Sequence, residues 1–185
     1  MDQRAHDAHE DLIARLVTAV GKYWICKRTP QHAYEAMECI GGSGVMEDSP
    51  FPRLYREAPV NAIWEGSGNV QCLDVLRALH KEPAVRDALF TELSEARGQS
   101  RAFDQNLAWL VDAFGDVQHL ERRSRLVVER AAMALQGAAL FKAGNSQIAE
   151  AFCEARLSNE SGYAFGTLPA GAPIQLLLTR ALPAL

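Results

Sequence analysis

The chain has 185 residues, 48% of them hydrophobic and 23% charged, which is enough for one ordinary core with a helical module appended and excludes a disordered tail. Basic side chains number 19 against 23 acidic ones, a formal charge of -4, so bulk electrostatics gives no reason to bind nucleic acid, although a local basic patch stays open. Apolar runs are broken by charge well before the ~18 residues of a membrane span, and Met1 leads into Asp2, Arg4, His6 and Asp7 where an export signal would carry an apolar core; a cytoplasmic chain with no membrane partner is expected.

From Arg4 to Lys27 the apolar positions Leu12, Ile13, Leu16, Val20, Tyr23 and Trp24 recur every three or four residues, the spacing of an amphipathic helix. Thr29-Pro30 is a start signal, since a threonine oxygen can cap free N–H groups and proline at the first helical position has none to leave unsatisfied. A second helix is therefore predicted from about Pro30 to Ile40, stopping at Gly41, Gly42, Ser43 and Gly44. The stretch to Pro59 reads as loop and short turns. From about Ser67 to Leu79 the set Val70, Leu73, Leu76 and Leu79 restores helical spacing, with Ser67 as its cap.

After His80 the breaks at Pro83, Gly98, Gly115, Gly144 and the loop from Asn159 to Pro173 delimit about five more helices. The longest, Val117 to Ala143, carries Ala131, Ala134 and Ala138 on a face that a neighbouring helix can approach closely. No segment alternates as a strand does, so the fold class is all-α, with a boundary placed at residues 80/81: a helical domain over 1–80 and a helical extension over 81–185. Cys26, Cys39, Cys72 and Cys153 form no CxxC, and each is expected as a buried reduced thiol. The five histidines form no HExxH or other ligand array, so no metal is expected.

Chemistry concentrates in residues 38–69, ECIGGSGVMEDSPFPRLYREAPVNAIWEGSGN. Its two glycine clusters would let a flat or phosphate-bearing ligand meet backbone. They lack the Lys-Ser/Thr of a P-loop and follow a helix where a dinucleotide fingerprint follows a strand, so both of those motifs are rejected. On residue types alone the glycines could equally be helix ends and turns, and Glu65 a solvated turn residue.

The order GGxG, Arg-Leu-Tyr-Arg, then an aromatic residue with Glu-Gly-Ser resembles the C-terminal signature of the flavin-dependent acyl-CoA dehydrogenases. CKRTPQHAYEAMECIGG, WEGSGNVQCLDVLRAL, AFCEARL and FGTLPAG resemble more narrowly the alkylation-response branch of that family, and this resemblance covers essentially the whole chain. It implies a helical bundle of the acyl-CoA dehydrogenase C-terminal type with an appended helical module. It also implies an FAD-dependent α,β-dehydrogenation of acyl-CoA thioesters, with Glu65 at the position of the base. By the same resemblance Gly41, Gly42 and Gly44 lie along the FAD of a neighbouring subunit, and Trp64, Gly66, Ser67 and Asn69 sit on the cofactor side. Glu38 stands where glutamine is usual and is taken as a branch feature. Arg53 and Arg56 are expected to anchor the loop by pairing with Glu47, Asp48 or Glu57.

A homo-oligomer is implied as well. The family builds its flavin pocket with a β-domain for which no strand-rich segment exists here, so the chain is expected to be a C-terminal portion that is inactive and free of FAD by itself. The branch is associated with double-stranded DNA through its extension. From His80 onward 11 Lys and Arg face 12 Asp and Glu, so any such interface must be local. Arg122, Arg123, Arg125 and Arg130 could meet phosphates, Arg123 and Arg130 sharing a helix face; equally, that face could be solvated or paired with acids.

Overall fold

The computed structural model describes residues 8–158, 162 and 164–182. All described regular structure is helical: α1 (Ala8–Ile40), α2 (Phe51–Glu57), α3 (Gly68–Lys81), α4 (Pro83–Ser94), α5 (Arg101–Gly115), α6 (Val117–Leu120), α7 (Ser124–Lys142), α8 (Ser146–Leu157) and α9 (Ile174–Ala181), with 3-10 turns at Gly41–Val45, Ala58–Ala62 and Glu121–Arg123. The all-α expectation holds. The predicted start at Arg4 lies outside the described residues.

One helix occupies the stretch assigned to two. α1 runs through Pro30 without a break, and the Thr29 hydroxyl, instead of capping a new helix, donates back to the Ile25 carbonyl at 2.7 Å. Proline removes the N–H that Cys26 C=O would otherwise receive, at a cost of about 3 kcal/mol. Burial on both sides of that point, at Tyr23 and at Met37, keeps the segment helical, because packing of a helix face outweighs local propensity. The predicted loop to Pro59 likewise contains α2, a helix of 7 residues with proline in its first turn. The long helix predicted from Val117 to Ala143 is divided by the 3-10 turn at Glu121–Arg123.

The described residues form two compact units. The first comprises those up to Ala88 together with Gln118–Ala132. In it α1 packs along α3, the 3-10 turns at 41–45 and 58–62, and α2. Leu16, Ala19, Val20 and Tyr23 form the buried stripe of α1, and Cys72, Val75, Ala78 and Leu79 that of α3, each at the three-to-four spacing of one helix face. Gly68, the first residue of α3, is buried where a Cβ would meet Lys27 Cε at 2.6 Å and Tyr23 Cε2 at 3.4 Å, so glycine sets how near α3 begins to α1.

The second unit comprises Leu89–Val117 and the described residues from Met133 onward. Here α5 packs on α8. Phe103 meets Phe141 edge-on at 6.3 Å between ring centroids, and Phe90 meets Phe114 at 5.8 Å. Ser100 caps α5 by accepting from Phe103 N–H. Of the small residues predicted on α7, Ala134 and Ala138 are buried in this unit and Ala131 is buried in the first; the tightest point here is Gly137, where a Cβ would lie 3.0 Å from Cys153 Sγ and 3.3 Å from Phe103 Cδ2.

The expectation of four buried thiols fails at two positions: Cys72 and Cys153 are buried, Cys26 is half-buried and Cys39 is exposed. Cys39 lies in the last turn of α1, where the helix face has already left the stripe that meets α3. Desolvation pushes the Cys72 thiol up to about 11 and that of Cys153 to about 12.

Candidate functional site

α1 ends at Ile40 because Gly41 takes a left-handed φ of +73°, which an L-residue rarely adopts. The chain then tightens into the 3-10 turn Gly41–Val45. Gly44 is buried against the α1 backbone, where a Cβ would run into the carbonyl oxygen of Met37. Gly42 differs: it is exposed, and a Cβ there would meet nothing in this chain. The loop that follows is tied down as its arginines suggested, for Arg56 takes Glu47 in a bidentate pair at 2.6 and 3.0 Å and Arg53 pairs with Glu57 at 3.0 Å. The Arg56 guanidinium holds the Glu47 carboxyl below the usual carboxylate range. Glu38 also has a neighbour: its carboxylate beside the Tyr34 hydroxyl is the main cause that holds Tyr34 above its ordinary value.

The second turn holds Glu65. It is the single non-glycine residue with positive φ among those described, at +51°, a conformation that costs an L-residue about 1–2 kcal/mol. Such strain persists only when the surroundings over-determine it, and here three successive carbonyls are held. Lys22 Nζ donates to Trp64 O at 2.7 Å and to Gly66 O at 2.8 Å, while Gln71 Nε2 donates to the intervening Glu65 O at 3.1 Å. Hydrogen bonds to a charged group contribute about 1.5–3 kcal/mol, less where water competes, so the pair from Lys22 is of the size needed to offset the strain. Gly66, at φ +109°, leaves the gap into which the Gln71 amide fits.

Glu65 and Trp64 are both exposed, Trp64 at 58%. Elsewhere on residues 45–63 apolar side chains also stay uncovered: Val45, Met46, Leu54, Val60 and Ile63. Ser67 occupies the N-cap position of α3 but, contrary to the capping expectation, makes no side-chain cap hydrogen bond. Asn69 is drawn aside, its Oδ1 accepting from Arg125 Nε at 2.6 Å. The structure thus brings Trp64, Glu65, Gly66 and Ser67 into one turn and sets Gly41, Gly42 and Gly44 in another, while α2 and the 58–62 turn between them pack on each other. What the arrangement offers chemically is an exposed carboxylate on a clamped backbone turn, next in sequence to the uncovered Ile63 and Trp64. Lys22 and Gln71 were not singled out from the sequence, since a lysine on a helix carries no local mark of contacts made more than forty positions away.

The family model described as "Acyl-CoA dehydrogenase, C-terminal domain" matches residues 1–80. Residues 1–80 are an acyl-CoA dehydrogenase C-terminal domain. Similarity to members of this family extends beyond residue 80: the chain is 43% identical over 161 residues to the AidB protein of Escherichia coli (strain K12), covering 87% of this chain and 29% of AidB. It is 34% identical over 128 residues to acyl-CoA dehydrogenase family member 11 of Caenorhabditis elegans, covering 69% of this chain and 20% of that protein. The crystal structure of Caenorhabditis elegans ACDH-11 in complex with C11-CoA superimposes with a TM-score of 0.74 over 95% of this chain and 33% of its own, at 24% identity, and shares the fold. The chain therefore spans less than a third of the length of the curated relatives it matches.

Beyond the acyl-CoA dehydrogenase domain, the four arginines considered for DNA all lie in the first compact unit. Arg122 and Arg123 sit in the 3-10 turn and Arg125 and Arg130 on α7, so the uninterrupted helical register expected between Arg123 and Arg130 is broken. Arg125 is engaged by Asn69, Arg123 and Arg130 have partners of their own, and Arg122 is exposed. No described helix is long and apolar enough to cross a membrane.

Proposed function

We propose that this chain contributes one wall of an FAD-dependent acyl-CoA dehydrogenase site, with Glu65 as the base that removes the α-proton of an acyl-CoA thioester. The observation that carries the reading is the clamped, left-handed Glu65 turn beside uncovered apolar surface, since a strained residue over-determined by its neighbours is a mark of functional placement. In this reading the Glu65 carboxylate accepts the proton from Cα, a hydride leaves Cβ, and the product is the 2-enoyl thioester. FAD, when bound, supplies the hydride acceptor. Trp64 and Ile63 present apolar surface that excludes water once covered, and a carboxylate desolvated on loading is a stronger base than one in water.

The glycine turn fits the cofactor by its shape. Gly42 is open and exposed and has no packing reason to be glycine within this chain, which supports a close approach there by the diphosphate of FAD, with Gly41 and Gly44 setting the turn that presents it. The uncovered Val45, Met46 and Leu54 on the same stretch support a face covered by another subunit or domain. The remaining walls of such a site come from polypeptide other than residues 1–80.

The reading is tested in the flavoprotein containing this segment by a Glu65→Gln change, followed through the bleaching of flavin absorbance on adding acyl-CoA in a single turnover. Proton transfer by a positioned carboxylate contributes about 10²–10⁴-fold, and a loss of that order with acyl-CoA still bound is expected. An unchanged rate would place the base elsewhere.

A further inference from the structure

We propose that Lys22 is a positioning residue for the Glu65 carboxylate, a role that rests on the reading of Glu65 as the base. The Cα–Cβ bond leaves the turn in a direction set by φ and ψ, so the region the Glu65 carboxylate can reach depends on whether residue 65 stays left-handed. Left alone, an L-residue would return to the right-handed or extended regions, and either return rotates the peptide groups on both sides of it. The peptide before residue 65 carries Trp64 O, which Lys22 grips at 2.7 Å, and the same ammonium nitrogen takes Gly66 O, one peptide beyond the Glu65–Gly66 link, at 2.8 Å. A donor that joins these two carbonyls spans residues 65 and 66 together, and it keeps both bonds while that pair keeps its left-handed turn. Gln71 adds a third hold, on the carbonyl of Glu65 itself. Lys22 stands on α1, the longest helix among those described, flanked by the buried positions Val20 and Tyr23, so the clamp is referred to a rigid element and the turn does not support itself.

A bond that merely stabilised the fold would be indifferent to catalysis; one that aims the base is not. In the chain itself, amide hydrogen exchange is compared between the native sequence and Lys22→Met, which keeps the aliphatic stem and loses the donor. The amides of Trp64 and Gln71, which close the backbone bonds on either side of the clamped turn (Trp64 N–H to Val60 O at 3.1 Å, Gln71 N–H to Ser67 O at 3.0 Å), should exchange at least about tenfold faster, while those of α1 and of α3 beyond its first turn stay as they were. In a Glu65→Gly background, where left-handed backbone needs no clamp, the same Lys22→Met change should quicken these amides by less than about threefold. Unchanged protection in the native background overturns the proposal.

In the flavoprotein containing this segment, Lys22→Met should lower kcat for acyl-CoA oxidation by about 10–100-fold with KM within about threefold, because the base is misaimed and the thioester still binds. A raised KM with kcat intact overturns the assignment. Glu65→Gln made alongside separates the two ideas. Turnover that survives it removes the base and the positioning role together, whereas its loss, with native exchange and native kcat in Lys22→Met, removes the positioning role alone. Should Lys22→Met not fold, Lys22→Gln, uncharged and one bond shorter, carries the same comparisons.

Discussion

At residue 65 the backbone and the side chain have opposed preferences. The left-handed φ of +51° costs an L-residue about 1–2 kcal/mol, while glycine takes the same φ freely and loses about 0.5–1 kcal/mol more chain entropy on folding. The first figure is the larger, so Glu65→Gly should raise the stability of the chain by about 0.5–1 kcal/mol in urea denaturation even as it deletes the carboxylate. A drop in the midpoint would mean that the turn is not strained. The two neighbouring glycines of the other turn should part company in the same assay. Gly44→Ala would force a methyl into the Met37 carbonyl and should cost about 1–3 kcal/mol. Gly42→Ala meets nothing and should stay within about 0.5 kcal/mol of the parent, yet weaken FAD retention in the flavoprotein if the diphosphate approaches there.

Among the elements, α1 carries a defect that its packing tolerates. Pro30 leaves the Cys26 carbonyl without its i+4 donor, and proline inside a helix is about 3 kcal/mol less favourable than alanine. Pro30→Ala should therefore stabilise the chain by about 1–3 kcal/mol, read as a higher thermal midpoint; a lower one would show that the second half of α1 depends on the proline for its direction. The same residue explains why one boundary misled. Thr29-Pro30 has the chemistry of a helix start, but whether a threonine caps or bonds backwards depends on what lies beneath the helix, and the buried Tyr23 and Met37 are visible as a stripe only once α3 and the 41–45 turn are in place.

Where the ends were marked, as for α3 after Ser67 or α5 between the breaks at Gly98 and Gly115, sequence and structure agree to within a few residues. α2 escaped notice because a helix of 7 residues between prolines has too few turns to show a period. Of the candidate site, Glu65 and the glycines could be picked out by resemblance, and Arg53 and Arg56 by charge near charge. Lys22, Gln71 and the Asn69–Arg125 contact could not, since each is a property of how helices are set against one another.

For the molecule as a whole, three titratable groups inside the two units set its tolerance of alkali. Burial raises Tyr23 to about 12, Cys72 to about 11 and Cys153 to about 12, against ordinary values of 10.0 for tyrosine and 9.0 for cysteine. All three are neutral below these values, so the folded state holds its protons to higher pH than the unfolded state does. Their contribution is fully present below about pH 9, and stability falls as pH rises from there through the raised values. Denaturant midpoints measured from pH 8 to 11 should decline, and Cys72→Ala and Cys153→Ala should each flatten the decline. A slope unaffected by both would mean that the thiols ionise as freely inside as out.

The first unit is not continuous along the chain, since Gln118–Ala132 returns to a body begun by the residues up to Ala88. During translation, then, α1 and α3 emerge from the ribosome before the segment bearing Arg125, the partner of Asn69, has been made. At ~5–20 residues per second the nascent chain waits on the order of a few seconds for it. Throughout that interval the growing polypeptide carries an unfinished body, with the surface that Gln118–Ala132 will cover still open to water.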